Sequence, residues 1–235
     1  MVGVVTRPGR QLRIGARRVE PRTTLRPQAD GECEMTHVLP AGPQPAPRRQ
    51  LLVGTGVVSA AGALLIGGML SIWLRFRDAA PLRESSDGLK QIKDWLPEDL
   101  KMAEVLTNVG LVTVGVACIM AQWAVYSSRR KDSRHTSMAL GMTLLMSLAL
   151  LNGLVAVYPN MEIVLADGPY QTMFYAITGT LITFVLAGVA FTLAALFKST
   201  GGRAGNTDLM NAHALYWYFL SAAYTAVWFV VFVQK

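Results

Sequence analysis

Apolar residues run unbroken by any Asp, Glu, Lys or Arg through 51–74, 105–128, 136–158, 171–197 and 209–234, each 23 residues or longer. A helix crossing the bilayer needs about 20 predominantly apolar residues, whereas a helix on a soluble domain keeps a polar face toward water. These windows show no such face. The last one, within "YWYFLSAAYTAVWFVVFVQK", holds eight aromatic side chains and no charge before Lys235. The pattern predicts an all-α, polytopic membrane protein with five transmembrane helices over those windows. The intervening segments are short, apart from residues 78–101. There Leu89, Ile92 and Leu96 recur at three- and four-residue spacing beside Trp95, which predicts a short amphipathic helix lying on the membrane surface. Pro97, followed by Glu98 and Asp99, suits the start of the second spanning helix.

Composition agrees with the pattern. Of the 235 residues 52% are hydrophobic and 16% are charged, where soluble domains carry about 25% charged residues. Residues 1–50 are a different material, rich in Arg, Pro and Gly, and "LPAGPQPAPRRQ" is a Pro-rich linker; they read as a disordered basic arm. The arm's Arg17-Arg18 pair is followed too distantly by too long an apolar run to serve as an export signal. Met35 opens a sufficient lead by itself, so residues 1–34 are expected to be an over-extended gene start.

The net charge is +7, and its placement speaks for membrane topology and against nucleic acid. Nine Arg of the arm, Arg129, Arg130, Lys131 and Arg134 after the second span, and Lys198 and Arg203 after the fourth all fall on one side; the other side has seven Lys/Arg. The excess of basic residues predicts a cytoplasmic N-terminus and an external C-terminus. Cys33 lies in the arm and Cys118 in an apolar window, so no disulfide framework is implied.

Ionisable side chains inside a membrane are the default functional candidates because each is expensive there. Only His213, near the start of the fifth span, qualifies, and it reads as a structural or interfacial residue. No two histidines share a helix face, so a metal or haem site is not expected in this chain; "KSTGGRAGN" lacks the strand–loop–helix setting of a phosphate loop. No catalytic residue is indicated. Packing residues are easier to name. Ser59, Ala63, Gly67 and Ser71 recur every four residues and form a small-residue stripe for close helix approach, although Gly and Ala are common in such helices anyway. Asn108, Gln122 and Asn152 need partners inside a bilayer and are expected to face other helices. Trp73, Trp123, Trp217 and Trp228 lie toward span ends and Trp95 in the surface segment, where indoles act as interfacial anchors.

The spans resemble subunit III of the haem-copper cytochrome c oxidases. "YWYFLSAAYTAVWFVVF" resembles that family's closing helix. "GPYQTMFYAITGTLITFVLAGVAF" resembles the preceding one, with Gly168, Phe174, Tyr175, Thr178, Gly179 and Gly188 in order. "AQWAVYSSRRKDSRH" resembles the end of an earlier span running into a basic loop, and "SAAGALLIGGML" falls where the family has a Ser, an acid, an apolar run and a Gly. Five spans match the short bacterial form. The family's intramembrane polar residues are missing: Ala60 or Ala61 stands at its acid, Leu181 and Phe184 at two histidines, Tyr218 and Ser221 at a later His and acid. The resemblance implies an accessory subunit of an aa3-type cytochrome c oxidase in the bacterial cell membrane, part of the respiratory chain of aerobic respiration. It would stabilise the catalytic subunit and its lipids during oxygen reduction coupled to proton translocation. Its partners would be membrane lipids, oxidase subunits I and II and a larger respiratory supercomplex. Haem a and copper would sit in those partner subunits. The alternative is a membrane component of a transport system working with a separate ATPase or a second membrane subunit.

Overall fold

The computed structural model describes residues 49–84, 91–96, 100, 103–161, 168–200 and 207–234; the arm lies outside them. These residues belong to one compact unit, Pro47–Lys235. Within it five helices are long and apolar enough to cross a membrane: α1 (Gln50–Ala79), α2 (Glu104–Arg129), α3 (Ser133–Met161), α4 (Pro169–Thr200) and α5 (Thr207–Val227), the last continued by a π-helical turn, Trp228–Val233. The first four have 30, 26, 29 and 32 residues, or roughly 40–48 Å at 1.5 Å per residue, which exceeds the hydrocarbon core of about 30 Å. Hydrocarbon offers no hydrogen bonds, so the backbone must satisfy itself. The span hydroxyls follow the same rule by folding back onto their own helix. Thr55 donates to the Leu51 carbonyl, Thr113 to Val109, Thr143 to Ala139 and Thr183 to Gly179, at 2.8–2.9 Å.

The bundle is built around α5. Of its span 44% is buried, against 28–33% for the others, and it packs on α1, α2 and α4, while α3 is held between α2 and α4. Trp217, Leu220 and His213 of α5 and Phe174 and Leu181 of α4 are almost fully enclosed. Close approach is possible where α5 meets a glycine. A Cβ on Gly62 would lie 2.6 Å from the Phe219 ring, one on Gly188 would lie 2.9 Å from Leu220, and one on Gly110 would overlap the Tyr224 hydroxyl.

Contacts between helix ends define the two ends of the bundle. At one, Arg129 of α2 donates to the Asn211 side chain of α5 (3.3 Å) and Ser137 of α3 meets Ser199 of α4 (3.1 Å); Arg49 opens α1 here. At the other, Arg77 at the end of α1 donates to the Gln234 carbonyl (2.6 Å) and Trp228 donates to Asn108 of α2 (2.8 Å).

The segment after α1 departs from the sequence expectation. Instead of an amphipathic helix it forms a hairpin, β1 (Leu82–Glu84) paired antiparallel with β2 (Gln91–Lys93), with Arg83 opposite Ile92. Long-range contacts decide the matter, overriding the local periodicity. Arg83 pairs with Asp94 (3.0 Å), Lys93 with Asp78 (3.1 Å), and Arg83 also donates to the Leu96 carbonyl (2.9 Å). A helix through 91–96 would break this register and withdraw Trp95 from the rings it packs on. Helix α2 starts at Glu104, later than Pro97, which lies outside the described residues together with Leu89.

Candidate functional site

The polar side chains of the spans converge mainly on α5. Trp217, one turn after His213 on the same helix, donates its indole N–H between Thr192 Oγ1 (3.2 Å) and His213 Nε2 (3.1 Å). Thr192 of α4 in turn lies 2.9 Å from His213 Nε2 and 2.8 Å from the Gly188 carbonyl. An indole nitrogen can only donate, so its one proton is shared between the Thr192 hydroxyl and Nε2; the other ring nitrogen of His213 is Nδ1. That nitrogen is buried and has no hydrogen-bond partner among the described residues. Thr192 and His213 are both fully buried. Among the described residues no carboxylate or cation joins the cluster; it couples α4 to α5 through hydrogen bonds, packed under Phe191 (ring centroids 5.6 Å from His213).

Two of the three amides expected to face other helices do so. Asn108 Oδ1 accepts from Trp228, and Gln122 Oε1 accepts from the Tyr218 hydroxyl at 2.9 Å. Asn152 does not. It is exposed on α3, and its amide has no hydrogen-bond partner among the described residues. The small-residue stripe of α1 divides in a similar way. Ser59 is buried against the bundle, but Ala63, Gly67 and Ser71 lie on the exposed face, because the buried stripe is Ser59, Gly62, Ile66, Leu70 and Trp73. The inward side of α1 is set by Gly62 against Phe219 of α5, which rotates the three-residue remainder of the stripe outward.

The indoles also separate. Trp123 and Trp228 are half-buried near helix ends. Trp73 and Trp95 are buried against each other (5.1 Å, edge-on) and against Tyr170 (5.0 and 5.6 Å), clamping the hairpin to α1 and α4. Trp217 is wholly enclosed in the His213 cluster. For these three, ring and hydrogen-bond packing takes the place of headgroup contact. The positions that depart from the oxidase pattern are filled by packing: Leu181 is buried, Phe184 stacks edge-on against Phe219 at 5.4 Å, and Tyr218 bonds Gln122. Sequence reasoning missed Thr192, which resembles the other self-bonded span hydroxyls until the fold sets it beside His213. Spacing along the chain also gave no sign that Arg49, Arg129 and Asn211 would line one recess, of about 520 Å³, between the start of α1, the end of α2 and the start of α5.

Among the described residues no three His, Cys, Asp or Glu side chains come together where a metal ion could bind. No curated protein matches the chain. The profile of cytochrome c oxidase subunit III matches residues 92–234, which hold the last two residues of β2 and all of α2 to α5 and make up more than half of the sequence. With the aromatic fifth helix, its glycine-mediated seat on α4 and the five-span bundle in agreement, the chain belongs to the cytochrome c oxidase subunit III family.

Proposed function

We propose that this chain is the accessory, non-catalytic third subunit of an aa3-type cytochrome c oxidase in a bacterial cell membrane, N-terminus inside and C-terminus outside. It flanks the haem- and copper-bearing catalytic subunit, stabilises it and organises lipid beside it while oxygen is reduced and protons are moved. The family match over α2 to α5 carries this reading. The chemistry of the spans supports the accessory role: His213, Asn108 and Gln122 are engaged in hydrogen bonds that join helices. The exposed face of α1, with Val53, Val57, Leu64 and Leu65, is apolar and suited to lipid or another subunit. The excess of Lys and Arg on the arm and the 129–134 and 198–203 segments supports the orientation.

Purification of the tagged chain in a mild detergent tests the proposal. An a-type haem band in the reduced-minus-oxidised spectrum, with a large co-eluting subunit, is the expected result. A haem-free eluate from membranes that contain a-type haem would reduce the family relationship to a shared fold.

A further inference from the structure

Thioether sulfur is a metal ligand as well. The two methionines left exposed among the described residues, Met138 and Met142, share a face of α3 with His135, which is exposed too. Thr136, Ala139 and Thr143, beside and between them, are buried against the bundle. At about 100° and 1.5 Å per residue, the three side chains fall within an arc of about 60° and about 10 Å of helix. Helical side chains lean toward the N-terminus, so Met142 leans back toward Met138 and Met138 toward His135. Farther along α3 the exposed large side chains are Leu145, Leu148 and Val155; exposed sulfur is confined to the two turns beside the imidazole.

The imidazole is held as a ligand is held. Asp132 Oδ2 lies 2.6 Å from His135 Nδ1, and its other oxygen accepts the His135 backbone N–H at 3.1 Å. An ionised carboxylate can only accept, so Nδ1 donates and the lone pair of the neutral ring is on Nε2. Nε2 has no hydrogen-bond partner among the described residues. The side chain is 53% exposed, so an ion can reach it from outside the bundle. A carboxylate that orients a histidine through its other ring nitrogen is the usual outer partner of a metal-ligating imidazole.

The donor atoms decide the ion. Both oxygens of Asp132 are taken up by His135, and Lys131 and Arg134 adjoin the pair in sequence, a poor setting for a hard divalent cation held by charge and oxygen. Two thioethers are soft, uncharged ligands that select Cu(I). A monovalent ion also brings the least charge to the edge of the hydrocarbon, where charge is expensive. We propose that His135 Nε2 and the sulfurs of Met138 and Met142 form a three-coordinate site for one cuprous ion, with Asp132 orienting the imidazole. The histidines of the chain share no helix face, and the thioethers that complete this set carry no charge, so the sequence reading passed over it. The site belongs to this chain alone and does not depend on the oxidase reading.

The test is a competition titration of the full-length chain, produced without other subunits and kept in mild detergent under anaerobic, reducing conditions, with Cu(I) supplied from a chromogenic chelator. Cys33→Ser is the background, so that the thiol of the arm adds no soft ligand. A single Cu(I) per chain should bind, with sulfur and nitrogen scatterers in its X-ray absorption spectrum. Asp132→Asn should weaken binding by about 10–100-fold, the usual loss with an outer partner, and Met138→Leu with Met142→Leu by more than that. Met173→Leu, on α4, should have no effect, and Zn(II) in equal amount should not compete. The leucine pair conserves volume at exposed positions, so it keeps its fold and carries the result even where Asp132→Asn loosens the start of α3. Unchanged Cu(I) affinity in the leucine pair, an equal loss in Met173→Leu, or displacement by Zn(II) would each overturn the site. Binding to the isolated chain decides this site alone, and the haem pull-down decides the subunit reading alone.

Discussion

A missing side chain controls the tightest contact in the bundle. Gly110 lets the Tyr224 ring lie against the α2 backbone, and the Tyr224 hydroxyl then donates to the Thr107 carbonyl at 2.9 Å. A Cβ at Gly110 would occupy the place of that hydroxyl, so a larger residue must push α5 away and break the hydrogen bond. Gly110→Val is expected to lower stability by about 1–3 kcal/mol, the usual cost of overpacking. Gly153 of α3 is the matched control, since a Cβ there meets nothing within 4 Å. Gly153→Ala should be neutral or slightly stabilising, as Ala is the better helix former by about 1 kcal/mol. Thermal unfolding of the two variants in the same detergent checks both outcomes. Equal melting temperatures would mean that the α2–α5 contact is not held by the missing side chain.

Elements outside the spans owe their form to contacts that sequence spacing does not reveal. The hairpin has only three residues per strand, too little to stand alone; Trp95 holds it by inserting between Trp73 and Tyr170. Trp95→Ala should free Leu82–Glu84 and Gln91–Lys93, seen as faster amide exchange there, while protection within α2 and α5 stays unchanged. The start of α3 is held by charge. Asp132 accepts from the His135 backbone N–H (3.1 Å) and contacts its ring nitrogen (2.6 Å). The backbone hydrogen bond first, and the ring second, hold the Asp132 carboxyl below its ordinary value of 3.8. A group whose folded pKa is depressed stabilises the fold above its unfolded pKa and loses that contribution as pH falls through the folded value. Protection factors at 133–136, corrected for intrinsic exchange, should therefore be constant near neutrality and fall only in the acid range below the ordinary carboxylate value. Asp132→Asn should abolish that dependence; a variant with the same acid profile would assign it to another group.

At the scale of the whole molecule, the five spans were legible because the bilayer permits so few solutions: an uncharged window longer than 20 or so residues must be a helix with its own backbone satisfied. The hairpin was not legible, because Trp95 has the same local spacing whether it lies on a membrane surface or between Trp73 and Tyr170. The recess lined by Arg49, Arg129 and Asn211 was not legible either, since its residues lie far apart in sequence and only the packing of α1 and α2 on α5 brings them around it. Asn152 marks the limit in the opposite direction. The sequence required a partner for its amide, and the fold of this chain leaves it exposed among Leu145, Leu148 and Val155. An unpaired amide in hydrocarbon costs several kcal/mol on apolar transfer scales, about 4–8 against cyclohexane, so a group from another subunit is the expected partner. Asn152→Leu should then leave the melting temperature of the isolated chain unchanged or raised. In the assembled complex it should lower the haem recovered per mole of tagged chain in a mild-detergent pull-down. A drop in both quantities would assign Asn152 to the fold of this chain; a drop in neither would place the subunit contact on another face, with the exposed Ala63–Gly67–Ser71 edge of α1 the next to substitute.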